Sequence, residues 1–107
     1  MRIIIDHREM RCKVGEALRK LGADIEITTL AVGDYVVSKR VALERKTVKD
    51  LFATLIERRE LFSQLMDLGM SYRLPILIIE GDDPFFFSGR RVHPMAVQGF
   101  LNTIALM

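Results

Sequence analysis

A short set of residues stands at spacings that suit phosphodiester chemistry. Gly33-Asp34 is followed, after nine residues, by Glu44-Arg45-Lys46 and, after three more, by Asp50. If residues 43–46 run as a strand, Glu44 and Lys46 share one side, ~6.8 Å apart along it, and Arg45 faces the other. A hairpin ahead of Glu44 would bring Asp34 beside them. Two carboxylates held close raise the proton affinity of one unless a divalent cation resolves the repulsion, and oxygen-only ligation selects Mg²⁺ or Mn²⁺. Such an ion activates water and stabilises charge on a phosphate. Lys46 beside it can orient the attacking water or offset the charge of the pentavalent transition state. The same Glu-x-Lys is common on strands as a plain salt bridge, so these residues alone leave both readings open.

The elements that must position this set follow from local patterning. Arg2 to Asp6 is a β-branched run ending in a carboxylate, which predicts a first strand feeding a loop. From Glu9 to Leu21, Val14, Ala17, Leu18 and Leu21 recur at helical spacing and Gly22 supplies a C-terminal stop. Ala23 to Ala31 then alternates, and Tyr35-Val36-Val37 and Val41-Ala42-Leu43 flank a Ser38-Lys39-Arg40 turn, so a three-strand meander is expected. Thr47 stands as an N-cap with Asp50 three residues on, ahead of Val48, Leu51, Phe52, Leu55 and Ile56. Glu57-Arg58-Arg59-Glu60 interrupts the stripe before Leu61, Phe62, Leu65 and Met66, which predicts a break between two helices. Ile76-Leu77-Ile78-Ile79, closed by Glu80-Gly81, reads as a strand buried on both faces. Asp82 to Arg91 reads as a loop, and Pro94 opens a last helix.

Composition sets the outer limits. At 107 residues, 50% hydrophobic and 28% charged, the chain fits one folded domain. A formal charge of +2 permits nucleic-acid binding without demanding it. One cysteine and two histidines exclude both a disulfide framework and a cysteine/histidine zinc site within the chain, so a metal must rest on oxygen. Cys12 reads as a small buried hydrophobe, and His7 as pointing away from the site by alternation. No apolar run approaches a membrane span, which leads us to expect an intracellular protein. The order strand, helix, three strands, helices, strand, helix predicts an α/β sandwich with a mixed sheet. The chain stops at Met107 inside an apolar helix, as in a truncated domain or one closed by a partner.

The string Gly33-Asp34, Glu44-Arg45-Lys46, Asp50 resembles the signature of the XPF-type structure-specific endonucleases, especially the nuclease domain of archaeal XPF and Hef. Asp6-His7-Arg8-Glu9, Leu61-Phe62-Ser63-Gln64, Pro75 to Gly81 and Val92-His93-Pro94 match the same family in order, so the resemblance spans essentially all of the chain. It implies a restriction-endonuclease-like three-layer sandwich, a mixed central β-sheet flanked by helices, with residues 1–107 forming one nuclease domain that lacks the last strand and helix.

The resemblance also implies roles. Asp34 and Glu44 would hold Mg²⁺ or Mn²⁺, Asp6 would add a carboxylate near the ion, and the Arg45 backbone carbonyl would complete the set. Lys46 would serve the water, Asp50 would orient its basic neighbours, and Arg8 and Arg45 would contact phosphate or brace the site. Lys39, Arg40 and Arg59 are candidate phosphate-tracking contacts, although such charges are more often solvated surface. The Phe85-Phe86-Phe87 triplet could stack on an unpaired base or meet a partner. The expected function is a divalent-metal-dependent endonuclease cutting branched DNA such as 3′ flaps and forks, with a homodimer as the family's assembly. The alternatives are a non-cleaving DNA- or partner-binding subunit and another nuclease of the superfamily, such as a junction resolvase.

Overall fold

The computed structural model of the chain describes residues 1–56, 58–81 and 94–106. Residues 82–93, which include the Phe85 to Phe87 triplet, Arg90, Arg91 and His93, lie outside the described residues, as do Glu57 and Met107. In chain order the elements are β1 (Arg2–Asp6), a 3₁₀ helix (His7–Arg11), α1 (Val14–Lys20), β2 (Asp24–Thr28), β3 (Tyr35–Val36), β4 (Val41–Thr47), α2 (Val48–Ile56), α3 (Arg58–Ser71), β5 (Leu74–Glu80) and α4 (Pro94–Ala105). They form an α/β fold on a five-stranded mixed sheet of order β2-β1-β3-β4-β5.

β1 pairs parallel with β2 and antiparallel with β3, β3 is antiparallel to β4, and β4 is parallel to β5. Four strands therefore run the same way, and their carboxyl ends, Asp6, Thr28, Thr47 and Glu80, lie along one edge. That edge is where open α/β sheets usually bind ligands. Strand alternation divides the side chains between two layers. Ile3, Ile5 and Tyr35 form a buried cluster with Val14 and Leu18 of α1 and Leu43 of β4. Val48, Leu51, Leu61 and Phe100 join α2, α3 and α4 in a second cluster. Leu51, Leu61 and Leu68 are essentially inaccessible, and burial of such a side chain contributes about 1.5–3 kcal/mol each.

Three expectations change. The residues from Glu9 to Leu21 are not one helix: the Asp6 carboxylate accepts the Arg8 N–H and starts a 3₁₀ turn, which breaks at Cys12 before α1 begins. Gly22 does end α1, with φ of +96°. The meander reduces to the β3–β4 hairpin, because β2 crosses back to pair with β1 at the far edge. Alternation reports which face a residue takes and says nothing of which strand it pairs with. β5 is an edge strand rather than one buried on both faces, and Leu74, Ile78 and Ile79 are 54%, 42% and 38% exposed. Among the described residues β4 is its one strand neighbour, with α2 and α3 packed against it. The break between helices falls as expected, α2 ending at Ile56 and α3 opening at Arg58.

Candidate active site

Asp34 is fixed by three backbone interactions that depend on the glycine before it. Gly33 adopts φ of +82°, and a Cβ there would stand 3.1 Å from Leu68 Cδ1, so a side chain at this position is strained and crowded. The turn delivers Asp34 between β1 and β4. Its N–H donates to the Leu43 carbonyl at 2.8 Å and its carbonyl accepts from Asp6 N–H at 2.8 Å. Its carboxylate Oδ2 then accepts the Arg45 N–H at 2.8 Å, leaving Oδ1 without a partner among the described residues.

On β4, Ala42, Glu44 and Lys46 face α3, while Leu43 and Arg45 face the α1 layer. The Arg45 guanidinium bridges two carboxylates, Glu9 at 3.2 Å and Glu80 at 2.6 Å, and its side chain is only 15% exposed. It braces the 3₁₀ helix, β4 and β5 together, one of the two roles expected of it. Lys46 makes no ion pair among the described residues. Thr47 Oγ1 accepts the Asp50 N–H at 3.1 Å, the N-cap expected for α2, contributing about 1 kcal/mol and placing Asp50 at the cleft.

Glu9, Asp34, Glu44, Lys46, Asp50, Gln64 and Asp67 line one open cleft of about 320 Å³, with Arg8 at its margin. Burial raises the proton affinity of Glu9, Asp34 and Glu44 alike. Glu44 is pushed up to about 7, first by burial and then by the Asp34 charge, against the pull of Lys46. It accepts no hydrogen bond from the chain among the described residues. Two adjacent carboxylates are thus left in electrostatic conflict.

Several expected residues stand elsewhere. Asp6 is fully buried and does not line the cleft. Its Oδ2 takes Arg8 Nε at 2.7 Å and Oδ1 takes the Leu30 N–H at 2.8 Å. The Arg8 hydrogen bond leads in holding the carboxyl down at about 2, overriding the cost of burial. Both of its oxygens are engaged by the fold, while its charge is near enough to Asp34 to raise that carboxyl's affinity for a proton. Lys39 and Arg40 sit on the β3–β4 turn at the opposite edge of the sheet, with Ser38 Oγ accepting the Arg40 and Val41 N–H groups. Six residues of strand, ~20 Å, separate Arg40 from Lys46. Arg59 falls within α3, and its side chain lies outside the described residues. The Asp50 carboxylate makes no ion pair among the described residues, so nothing there shows it orienting a basic neighbour. Cys12 is half-buried, its Sγ donating to the Glu9 carbonyl at 3.1 Å.

Glu9, Gln64 and Asp67 join the cleft without having been given a role from the sequence. Glu9 ends the Asp6-His7-Arg8-Glu9 motif and Gln64 ends Leu61-Phe62-Ser63-Gln64, so their motif membership was the available signal. Asp67 follows Gln64 by three residues on the same helix face. Among the described residues no group of three or more Asp, Glu, His or Cys is gathered so as to hold a metal. A small hard cation with few protein ligands fits Asp34 and Glu44 better than an all-protein cage does. No helix among the described residues is long and apolar enough to cross a membrane.

Comparison with known proteins places the chain in a family. The chain is 42% identical over 82 residues to the 3′-flap repair endonuclease Xpf of Saccharolobus solfataricus, covering 77% of this chain and 35% of that protein. It is 40% identical over 90 residues to the DNA repair endonuclease XPF of Cricetulus griseus, covering 82% of this chain and 10% of that protein. The solved structure of XPF from Aeropyrum pernix superposes with a TM-score of 0.89 at 31% identity, over 99% of this chain and 49% of that one. The same protein in complex with DNA gives 0.78 at 31% identity, over 97% of this chain and 49% of that one. The chain therefore spans half or less of the length of these relatives. The model of the ERCC4 domain matches residues 5–107, and the chain belongs to the ERCC4 domain family.

Proposed function

We propose that the chain is the nuclease domain of a DNA endonuclease that hydrolyses one phosphodiester near a branch point, such as a 3′ flap or a fork. The observation that carries this reading is Glu44, a half-buried carboxylate that accepts no hydrogen bond among the described residues, pushed up to about 7 beside Asp34 and on the same strand face as Lys46, which makes no ion pair among them. The names of the relatives, an Xpf endonuclease acting on 3′ flaps and an XPF bound to DNA, support the substrate class.

Asp34 and Glu44, with the Arg45 backbone carbonyl, would hold Mg²⁺ or Mn²⁺, whose chemistry is to lower the pKa of bound water and stabilise charge on phosphate. The remaining work falls to the chain. Lys46 orients the attacking water and offsets charge on the phosphoryl oxygens; water oxygen forms the new bond to phosphorus as the bond to the leaving oxygen breaks. Arg8, 68% exposed at the margin of the cleft, contacts a flanking phosphate. Arg45 keeps β4 in register with Glu9 and Glu80. Lys39 and Arg40 touch the backbone farther along the duplex, and Arg59 remains a candidate contact of the same kind. Such a domain works inside the cell, where branched DNA arises. A second copy of the chain is the favoured protein partner, consistent with the apolar groove that Leu65, Met66, Met70 and Ile104 line beside β5.

The test is cleavage of labelled linear duplex, 3′-flap and four-way-junction DNA with Mg²⁺, with Mn²⁺ and with EDTA, beside the Asp34→Asn variant. Metal-dependent cutting of flaps that the variant lacks supports the proposal. DNA binding without cutting on any substrate would instead make the domain a binding subunit.

A further inference from the structure

Gln64 stands where the fold has no use for it. On α3 it lies three residues after Leu61 and four before Leu68, both with no accessible surface, so it occupies the helix face directed at the sheet. Leucine or methionine would fill such a position without loss. Instead the carboxamide Oε1 is sealed from solvent with no hydrogen-bond donor, and no other side-chain hydrogen bond of Gln64 is present among the described residues. A buried acceptor left unpaired carries its full desolvation penalty, and a residue retained for stability would not do so.

The same side chain lines the catalytic cleft, on the wall that faces Glu44 and Lys46. We propose that Gln64 is a water-positioning residue, its Oε1 accepting a hydrogen bond from the water that attacks the scissile phosphate. The chemistry of the cleft narrows the choice of partner. When ionised, as Asp34 and Glu44 would be around a cation, Glu9, Asp34, Glu44, Asp50 and Asp67 present only acceptor oxygens, and so does a phosphodiester, so none of them can satisfy another acceptor. The guanidiniums of Arg8 and Arg45, which also line the cleft, are held by Asp6 and by Glu9 and Glu80, so water, the Lys46 ammonium and the Thr47 hydroxyl are the donors that remain. A water gripped by Oε1 from α3 and by Lys46 from β4 is oriented from two sides. The terminal torsion of glutamine is broad, so Oε1 turns from the sealed wall toward the cleft at little cost. The inference rests on the phosphodiesterase reading of the cleft.

The experiment compares wild-type protein with Gln64→Met and Gln64→Glu in two assays: thermal melting in EDTA, and single-turnover cutting of 3′-flap DNA at saturating DNA and Mg²⁺. Methionine removes the orphaned acceptor while keeping shape, so melting is expected to be unchanged or raised. Cutting should slow about tenfold or more, with DNA affinity within about twofold of wild type. Glutamate keeps the acceptor and should cut faster than methionine. A lowered melting temperature for Gln64→Met, cutting at the wild-type rate, or a glutamate variant as slow as methionine would each overturn the assignment. A wild-type protein that cuts no DNA under any condition would overturn the phosphodiesterase reading and this inference with it.

Discussion

The Arg45 backbone N–H donates to Asp34 Oδ2 at 2.8 Å, tying the loop carboxylate to the strand residue that follows Glu44. Asparagine at position 34 retains an acceptor for that N–H while removing the charge. Asp34→Asn is therefore expected to keep its melting temperature and to cut DNA about a hundredfold more slowly or worse. Retained activity at the wild-type rate would remove Asp34 from the chemistry.

Burial of Glu44, and after it the Asp34 charge, sets a pH dependence on the metal-free protein. Glu44 titrates at 4.5 when unfolded and at about 7 when folded, so between those values the native state binds the extra proton. Stability in EDTA should fall as pH rises from about 4.5 to about 7 and then level off. The raised Asp34 and Glu9 act in the same direction. Glu44→Gln should flatten the slope, and Mg²⁺ should raise the melting temperature above pH 7. A melting temperature that climbs through this window in EDTA would contradict the geometry.

Asp6 predicts the opposite sign for a different reason. Its carboxyl is held at about 2 against an ordinary 3.8, so the stability it contributes is complete above 3.8 and is lost as pH falls toward 2. Asp6→Ala strands the Arg8 and Leu30 N–H groups and should destabilise the fold by about 1–3 kcal/mol. Calorimetric titration with Mn²⁺, below the melting point of the variant, should give near wild-type affinity. Loss of binding there would return Asp6 to the ligand set.

Adjacent residues on β4 should fail in different ways. Lys46→Ala is expected to slow cutting about a hundredfold and to lower melting only slightly, since the ammonium makes no ion pair among the described residues and only eases the charges of Asp34 and Glu44. Arg45→Met strands Glu9 and Glu80 and should lower stability by about 2–3 kcal/mol. Denaturant unfolding of both variants decides the matter, and equal stability would deny Arg45 its bracing role.

DNA affinity should fall linearly on a log–log plot against salt, because each phosphate contact releases counterions. Arg40→Ala should reduce the magnitude of that slope by about 1 while leaving the rate at saturating DNA unchanged, as its place ~20 Å from Lys46 requires. An unaltered slope would leave Arg40 as solvated surface.

Much of this protein is legible in its residues because the rules involved are local. The β-branched run of Arg2 to Asp6, the stop at Gly22, the Thr47 cap on α2 and the β3–β4 hairpin follow from propensity, turn chemistry and capping over a few residues. Strand alternation alone separates Glu44 and Lys46 from Arg45. Tertiary structure decided the rest. It sent β2 to pair with β1, left β5 at an edge, committed Asp6 to Arg8 and Leu30, and gathered Glu9, Gln64 and Asp67 around Glu44. Pairing partner, burial and the field at a carboxylate depend on groups distant in the chain, so the raised affinity of Glu44 for its proton exists only once α3 and the Asp34 turn close around it.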